Sequence, residues 1–207
     1  MSAMPIERGQ DWGSIAPPGL KYVVAGTDAQ IRTIVEAAWA SGDEVPPIAV
    51  VGGDLWRALG APAGGTERIQ NNQARMLQID AARLQIGEHV FASVAHVFCL
   101  RSWWAGPIMA LMNSEWRTTW RIAPKAHPND GLLDLLEADL PIGQRWLARK
   151  RLRTGDHLPH RLIHTERVTE LNRSFERPRR IYIDGVDEGR HQSIAVTVIP
   201  DAFRVIL

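Results

Sequence analysis

Near Leu77 the chain changes texture, and that change limits the folds open to it more than any other feature. Ahead of it, Lys21-Tyr-Val-Val-Ala25 is a short β-branched run closed by Gly26, and Ile31, Ile34, Val35 and Ala38 follow at helical spacing. The same grammar repeats once. Pro47-Ile-Ala-Val-Val51 is closed by Gly52-Gly53, and a helical stretch from Leu55 to Leu59 stops at Gly60. Strand-helix-strand spacing of this kind predicts a parallel sheet. Beyond Leu77 come short strand-like runs separated by turn signals, at 84–86, 90–94, 135–136, 181–183, 194–199 and 203–207. Asn129-Asp130-Gly131 and Asp184-Gly185 tolerate positive φ and predict hairpin tips or tight loops. One helix is expected among these strands, from Pro141 to Leu152, with Trp146 and Leu147 on one side and Arg145, Arg149, Lys150, Arg151 and Arg153 toward its end. Residues 1–20 are rich in Pro, Gly and polar side chains and read as an irregular arm.

Composition excludes several classes. With 207 residues, 45% hydrophobic and 23% charged, the chain is a globular protein and not a disordered one. Lys plus Arg number 24 against 23 for Asp plus Glu, so no overall field draws the protein to nucleic acid. Cys99, the single cysteine, lies in the apolar run Val97-Phe98-Cys99-Leu100, which predicts a buried, inert thiol and excludes an intrachain disulfide. The N-terminal residues lack the apolar core of a signal peptide, and the longest apolar stretch, around Val90 to Leu100, is too short to span a bilayer. The expected location is the cytoplasm.

Four segments in one order carry a resemblance: Ala123-Pro-Lys-Ala-His127-Pro-Asn-Asp130-Gly131-Leu132-Leu-Asp134, Gly155-Asp-His157-Leu-Pro-His160, Ile183-Asp184-Gly185-Val186, and Val198-Ile-Pro-Asp201-Ala-Phe203. Together they resemble the C-terminal domain of bacterial diacylglycerol and lipid kinases, a family whose architecture is shared with sphingosine kinases and, more remotely, NAD kinases. The resemblance covers residues 21–207 and implies an α+β fold: a truncated α/β nucleotide-binding-type subdomain over 21–78, packed on a β-sandwich over 79–207. The last strand is expected to return to the first subdomain.

The site residues follow from the same resemblance. Gly26 and Asp28 stand in the position of the family's GGDGT phosphate loop, which here reads Gly26-Thr-Asp28-Ala-Gln30, with two glycines replaced. Gly53, Asp54 and Arg57 match the second loop, GTGND followed by FAR, in a shortened form. These five are the expected nucleotide-binding residues, and ATP and Mg²⁺ the expected cofactors if the chain is active. In the family a DGE glutamate accepts the substrate hydroxyl proton, as phosphoryl transfer to a hydroxyl requires. Here the motif reads Asp184-Gly185-Val186, and valine cannot accept a proton. Asp187 has the wrong strand parity, which leaves Glu188 as an improvised base. A structural magnesium is implied at Asp130, held by its carboxylate and by main-chain carbonyls at His127 and Leu132; the alternative is that Asp130-Gly131 is only a turn. The family's first strand-helix units, about the first third of a usual chain, have no counterpart.

Other residues admit more than one reading. His157, His160 and His164 lack the partners of a tetrahedral zinc site. Trp103, Trp104, Trp116 and Trp120 cluster with Ile108, Met109, Leu111 and Met112; core packing is preferred over a lipid pocket or a homodimer interface. The basic helix end is a solvated face unless its residues group on one surface, which would favour peripheral membrane contact. Three losses, in the missing strands, the phosphate loops and the base, each damage positioning and electrostatics. The favoured function is a catalytically impaired member that binds a lipid or small hydrophobic ligand or acts as a regulatory module. The alternative is an active ATP-dependent lipid kinase.

Overall fold

The computed structural model describes residues 12–70 and 74–207, so the first eleven residues of the N-terminal arm lie outside the described residues. After a two-residue strand β1 (Ser14–Ile15), the chain forms β2 (Val23–Ala25), α1 (Asp28–Ser41), β3 (Ile48–Val50), α2 (Gly53–Ala58) and a short α3 (Glu67–Gln70). Helix α1 buries Ile31, Val35 and Ala38, the stripe that its spacing predicts, and ends where Gly42 takes φ +75° and donates its N–H to the Ala38 carbonyl. Strand β3 pairs in parallel with β2 and is buried along its length, whereas Val23 and Val24 on the edge strand β2 are exposed.

The remainder is antiparallel. Strands β4 (Arg75–Ile86), β5 (His89–Ser93), β6 (His96–Leu100) and β7 (Ile108–Met112) are followed by a small hairpin of β8 (Trp116–Arg117) and β9 (Trp120–Arg121). Then come β10 (Leu133–Ala138), α4 (Ile142–Arg151), β11 (Ile163–Val168), β12 (Glu170–Ile183) and β13 (Val186–Ile206). Among the described residues the main sheet has 11 strands, ordered β1-β4-β13-β12-β6-β7-β10-β11, with β5 on β4 and the β2–β3 pair on β13. This is an α+β fold dominated by sheet.

Strand β13 joins the two textures. Its first part, Val186 to Thr197, pairs with β12, its second, Ala195 to Ile206, pairs with β4, and Val205 and Ile206 also pair in parallel with β3. The runs 194–199 and 203–207 are therefore one strand, broken in register between Ile199 and Phe203 where Asp201 takes φ +51°. At its start, Ile183 pairs with Val186 across Asp184 (φ +49°) and Gly185 (φ +87°), the two-residue turn that Asp-Gly predicts.

Alternation along the strands separates the cores. In β6, Val97 and Cys99 face the inner core with Met109, Leu135, Ile181 and Ile194, while Phe98 and Leu100 face an outer cluster with Ala110, Met112 and Leu136. Both faces are covered, so the strand reads as a continuous apolar run. Burial pushes the Cys99 thiol up to about 12, as an inert cysteine requires.

Candidate functional site

Two βα turns meet where the sheet crosses from one texture to the other. Gly52 sits so close to the Gly26 carbonyl that a Cβ there would lie 2.4 Å from the oxygen. Gly53, at φ +98°, faces the Asp28 carboxylate in the same way, a Cβ falling 2.5 Å from its oxygen. Each turn thus fills the space in front of the other.

The first turn caps itself. Thr27-Asp28-Ala29-Gln30 has the spacing of a capping box. The Thr27 hydroxyl accepts the Gln30 N–H at 3.2 Å, and Gln30 Oε1 reaches back to accept the Gly26 N–H at 2.8 Å. Asp28, buried at the start of α1, accepts the N–H groups of Asp54 (2.7 Å) and Leu55 (3.0 Å), and so caps α2. Burial, above all, raises the Asp28 pKa to about 6, with Asp184 and Asp54 adding repulsion against the two backbone donors.

Asp54 is held from the other side. Its Oδ2 shares a 3.0 Å hydrogen bond with His96 Nε2, and its Oδ1 accepts the Thr118 N–H at 2.6 Å. Burial opposes its charge, but the hydrogen bonds and the positive neighbours outweigh it and keep the carboxyl below its usual range. Arg57 donates to the Thr118 carbonyl and lies over the Trp116 ring, so the β8–β9 hairpin is fastened across the start of α2. Ligand atoms of Asp28, Asp54 and His96 lie within 4.8 Å of one another, a spacing that one cation could bridge.

Beneath this group lies Asp184, whose carboxylate accepts the N–H groups of Val94 (2.9 Å), Ala95 (2.9 Å) and His96 (3.0 Å) and the Ser93 hydroxyl (3.1 Å). The Asp-Gly turn therefore places His96 from below. Val186, next in chain, is exposed. Glu188 is on the α1 side and pairs with Arg32 at 2.6 Å, one helical turn beyond Asp28; Asp187 pairs with Arg180 at 3.4 Å. Arg32, itself buried, also holds Glu36 at 2.8 Å.

Of the residues singled out in sequence, Gly26, Asp28, Gly53, Asp54 and Arg57 converge, while Glu188 is bound to Arg32 on the next turn of α1. His127, Asp130 and Leu132 form a second cluster. Asp130 accepts the Leu132 N–H at 3.1 Å and forms an ion pair with Arg167, which also faces Asp134 at 3.9 Å. His127 Nδ1 accepts the Asn129 N–H at 3.2 Å. The loop is fixed by Asp80, which is fully buried and accepts the N–H groups of Gly131 (2.7 Å) and Asp201 (2.9 Å). His96, Arg32, Asp80 and Arg167 were not singled out in sequence. The one legible signal was Asp80, an acid inside the apolar strand run Leu77-Gln-Ile-Asp-Ala-Ala.

A third feature is an apolar cavity of about 200 Å³ on the outer face of β6, β7 and β10, under α4. Phe98, Trp103, Ala110, Trp120, Leu136 and Leu152 are among its walls. His157, buried in the same wall, places Nε2 3.0 Å from the Ile122 carbonyl, so Nε2 carries the proton and Nδ1 is an acceptor without a partner. Burial holds its pKa down, which keeps the ring neutral. The tryptophans read in sequence as core thus divide: Trp103 and Trp120 line the cavity, and Trp104 at its rim is 63% exposed.

Solved structures show the fold, two βα turns on an antiparallel sheet joined by a strand that returns from the far end, to be lipid-kinase-like. A structure assigned as a diacylglycerol kinase from Bacillus anthracis str. Sterne superposes with a TM-score of 0.68 at 13% identity, covering 89% of this chain and 76% of that one. A second, of a diacylglycerol kinase from the same organism, gives 0.64 at 14% identity over 89% and 74%. No family model matches the chain, and no curated protein matches it in sequence. Among the described residues no helix is long and apolar enough to cross a membrane.

Proposed function

We propose that this chain keeps the lipid-kinase scaffold as a ligand-binding or regulatory module and does not transfer phosphate. The observation that carries this reading is the state of the N–H donors at the two βα turns. A phosphate cradle offers free backbone N–H groups at glycine turns and helix starts. Here the Gly26 and Gln30 donors are taken by Gln30 and Thr27, and those of Asp54 and Leu55 by Asp28. The carboxylate that takes them would itself repel a phosphate.

The donor set does not fit magnesium. That ion demands near-octahedral oxygen ligands and retains waters, whereas this group supplies an imidazole and two carboxylates whose four oxygens already accept hydrogen bonds. Glu188, the carboxylate left for proton acceptance, is neutralised by Arg32. No transfer step follows from these groups. The alternative reading, an active ATP-dependent lipid kinase, draws on the closeness of Asp28, Asp54 and His96.

What the scaffold offers a ligand is the apolar cavity under α4. An acyl lipid or other small hydrophobic molecule suits such a lining. The fold neighbours, being diacylglycerol kinases, point to the same ligand class. Titrating the protein with a fluorescent monoacylglycerol, read by energy transfer from the tryptophans, should give saturable binding. Ala110→Leu, which fills the cavity, should abolish it; equal binding by the variant would remove the cavity from the account.

A further inference from the structure

Helix α4 is built against the usual rule for a soluble domain. An amphipathic helix there buries its apolar stripe, yet no residue of α4 is buried, and Ile142, Trp146 and Leu147 are 74%, 55% and 51% exposed. Trp104, 63% exposed, stands beside them on the loop 101–107. Arg145 ties this loop to the helix by donating to the Trp103 and Gly106 carbonyls, so helix and loop form one rim around the cavity mouth.

The charge on this rim has one dominant sign. Between Asp139 and Asp156 there are five cations, Arg145, Arg149, Lys150, Arg151 and Arg153, against those two acids, and α4 itself contains no acid. The cations stand on aromatic faces: Lys150 Nζ is 3.6 Å from the Trp146 ring centroid, and the Arg149 guanidinium lies 4.8 Å from Trp104 and 4.7 Å from Trp120. Tryptophan rings at the boundary of the hydrocarbon, with Lys and Arg reaching from the same helix to the headgroups, are the arrangement of a helix lying in a membrane surface.

We propose that α4 and the loop 101–107 form a docking surface for an anionic lipid bilayer. A single amphiphile in the cavity would cover Trp103, Trp120 and the inner side of Trp146. It would leave Leu147 uncovered and Lys150, Arg151 and Arg153 without counter-ions, because none of these four lines the cavity. A sheet of acyl chains and negative headgroups satisfies both sets at once. Docking does not depend on the cavity being filled, so it stands or falls apart from the ligand-binding reading.

The full chain is floated with vesicles of phosphatidylcholine alone or of equimolar phosphatidylcholine and phosphatidylglycerol. It should rise with the mixed vesicles and not with the neutral ones, and binding should fall steeply as salt is raised. Lys150→Gln, Arg151→Gln and Arg153→Gln, all at exposed positions, should each weaken binding about fivefold. The double variant Trp146→Ser, Leu147→Ser should lose it at every salt concentration while melting as the parent does. Failure to float with the anionic vesicles overturns the proposal, as does binding that neither salt nor these substitutions reduce. Self-association of the parent that the double variant abolishes, without vesicle binding, would overturn it and assign the face to a second copy of the chain.

Discussion

Single carboxylates do most of the positioning in this molecule, and they do it as acceptors of backbone N–H groups. Asp184 is the extreme case. It fastens residues 93–96 from a turn legible in sequence as a hairpin tip and as an altered DGE motif, because Asp-Gly announces positive φ but not what the side chain will reach. Asp184→Asn turns one acceptor oxygen into a donor facing an N–H, and should cost about 1–3 kcal/mol in urea denaturation; an unchanged midpoint would show that the N–H groups find other partners. Asp134 offers a test in pH. Burial first of all, against the attraction of Arg167, raises its pKa from 3.8 to about 6. The folded chain then holds this proton more tightly than the unfolded chain, so the stability Asp134 contributes is full below pH 3.8 and is lost as pH rises to about 6. Asp134→Asn should remove on the order of 2 kcal/mol of that pH dependence. A stability curve of unchanged slope across this window would contradict the environment described for Asp134.

At the scale of elements, periodicity carried far. The stripe Ile31, Val35, Ala38 and the buried run of β3 are where spacing put them, because local pattern and tertiary burial agree there. Others escaped, β6, β7 and β11 among them. Strand β7 (Ile108–Met112) reads as part of a tryptophan cluster, since a strand covered on both faces shows no alternation. Helix α4 was legible as a helix but not as an unburied one, for nothing in a 3.6-residue repeat says what lies opposite its apolar side. The capping box at α1 was present in the letters Thr-Asp-Ala-Gln, but read against a glycine loop they appeared only as replacements; the structure gives them a task of their own. Thr27→Ala removes that cap and should cost about 1 kcal/mol, while binding of the fluorescent lipid is unchanged. A loss of lipid binding in step with the lost stability would couple two regions that the account keeps separate.

The whole molecule is arranged around β13, whose 21 residues run from the Asp184 turn, past the Asp201 break, to the parallel pair with β3. One strand thereby fixes the His96 group, the Asp80 loop and the α/β core in a single frame. The likeness to diacylglycerol kinases at 13% identity is a likeness of that frame. The chemistry of the cleft is another matter. It depends on which atom each donor faces, and in this chain four donors of the two βα turns, those of Gly26, Gln30, Asp54 and Leu55, face Gln30, Thr27 and Asp28. The most direct test is calorimetric titration of the purified protein with ATP and Mg²⁺. The account predicts no saturable heat up to millimolar nucleotide; one-site saturable binding would contradict it, and would mean that the turns open to form a phosphate cradle.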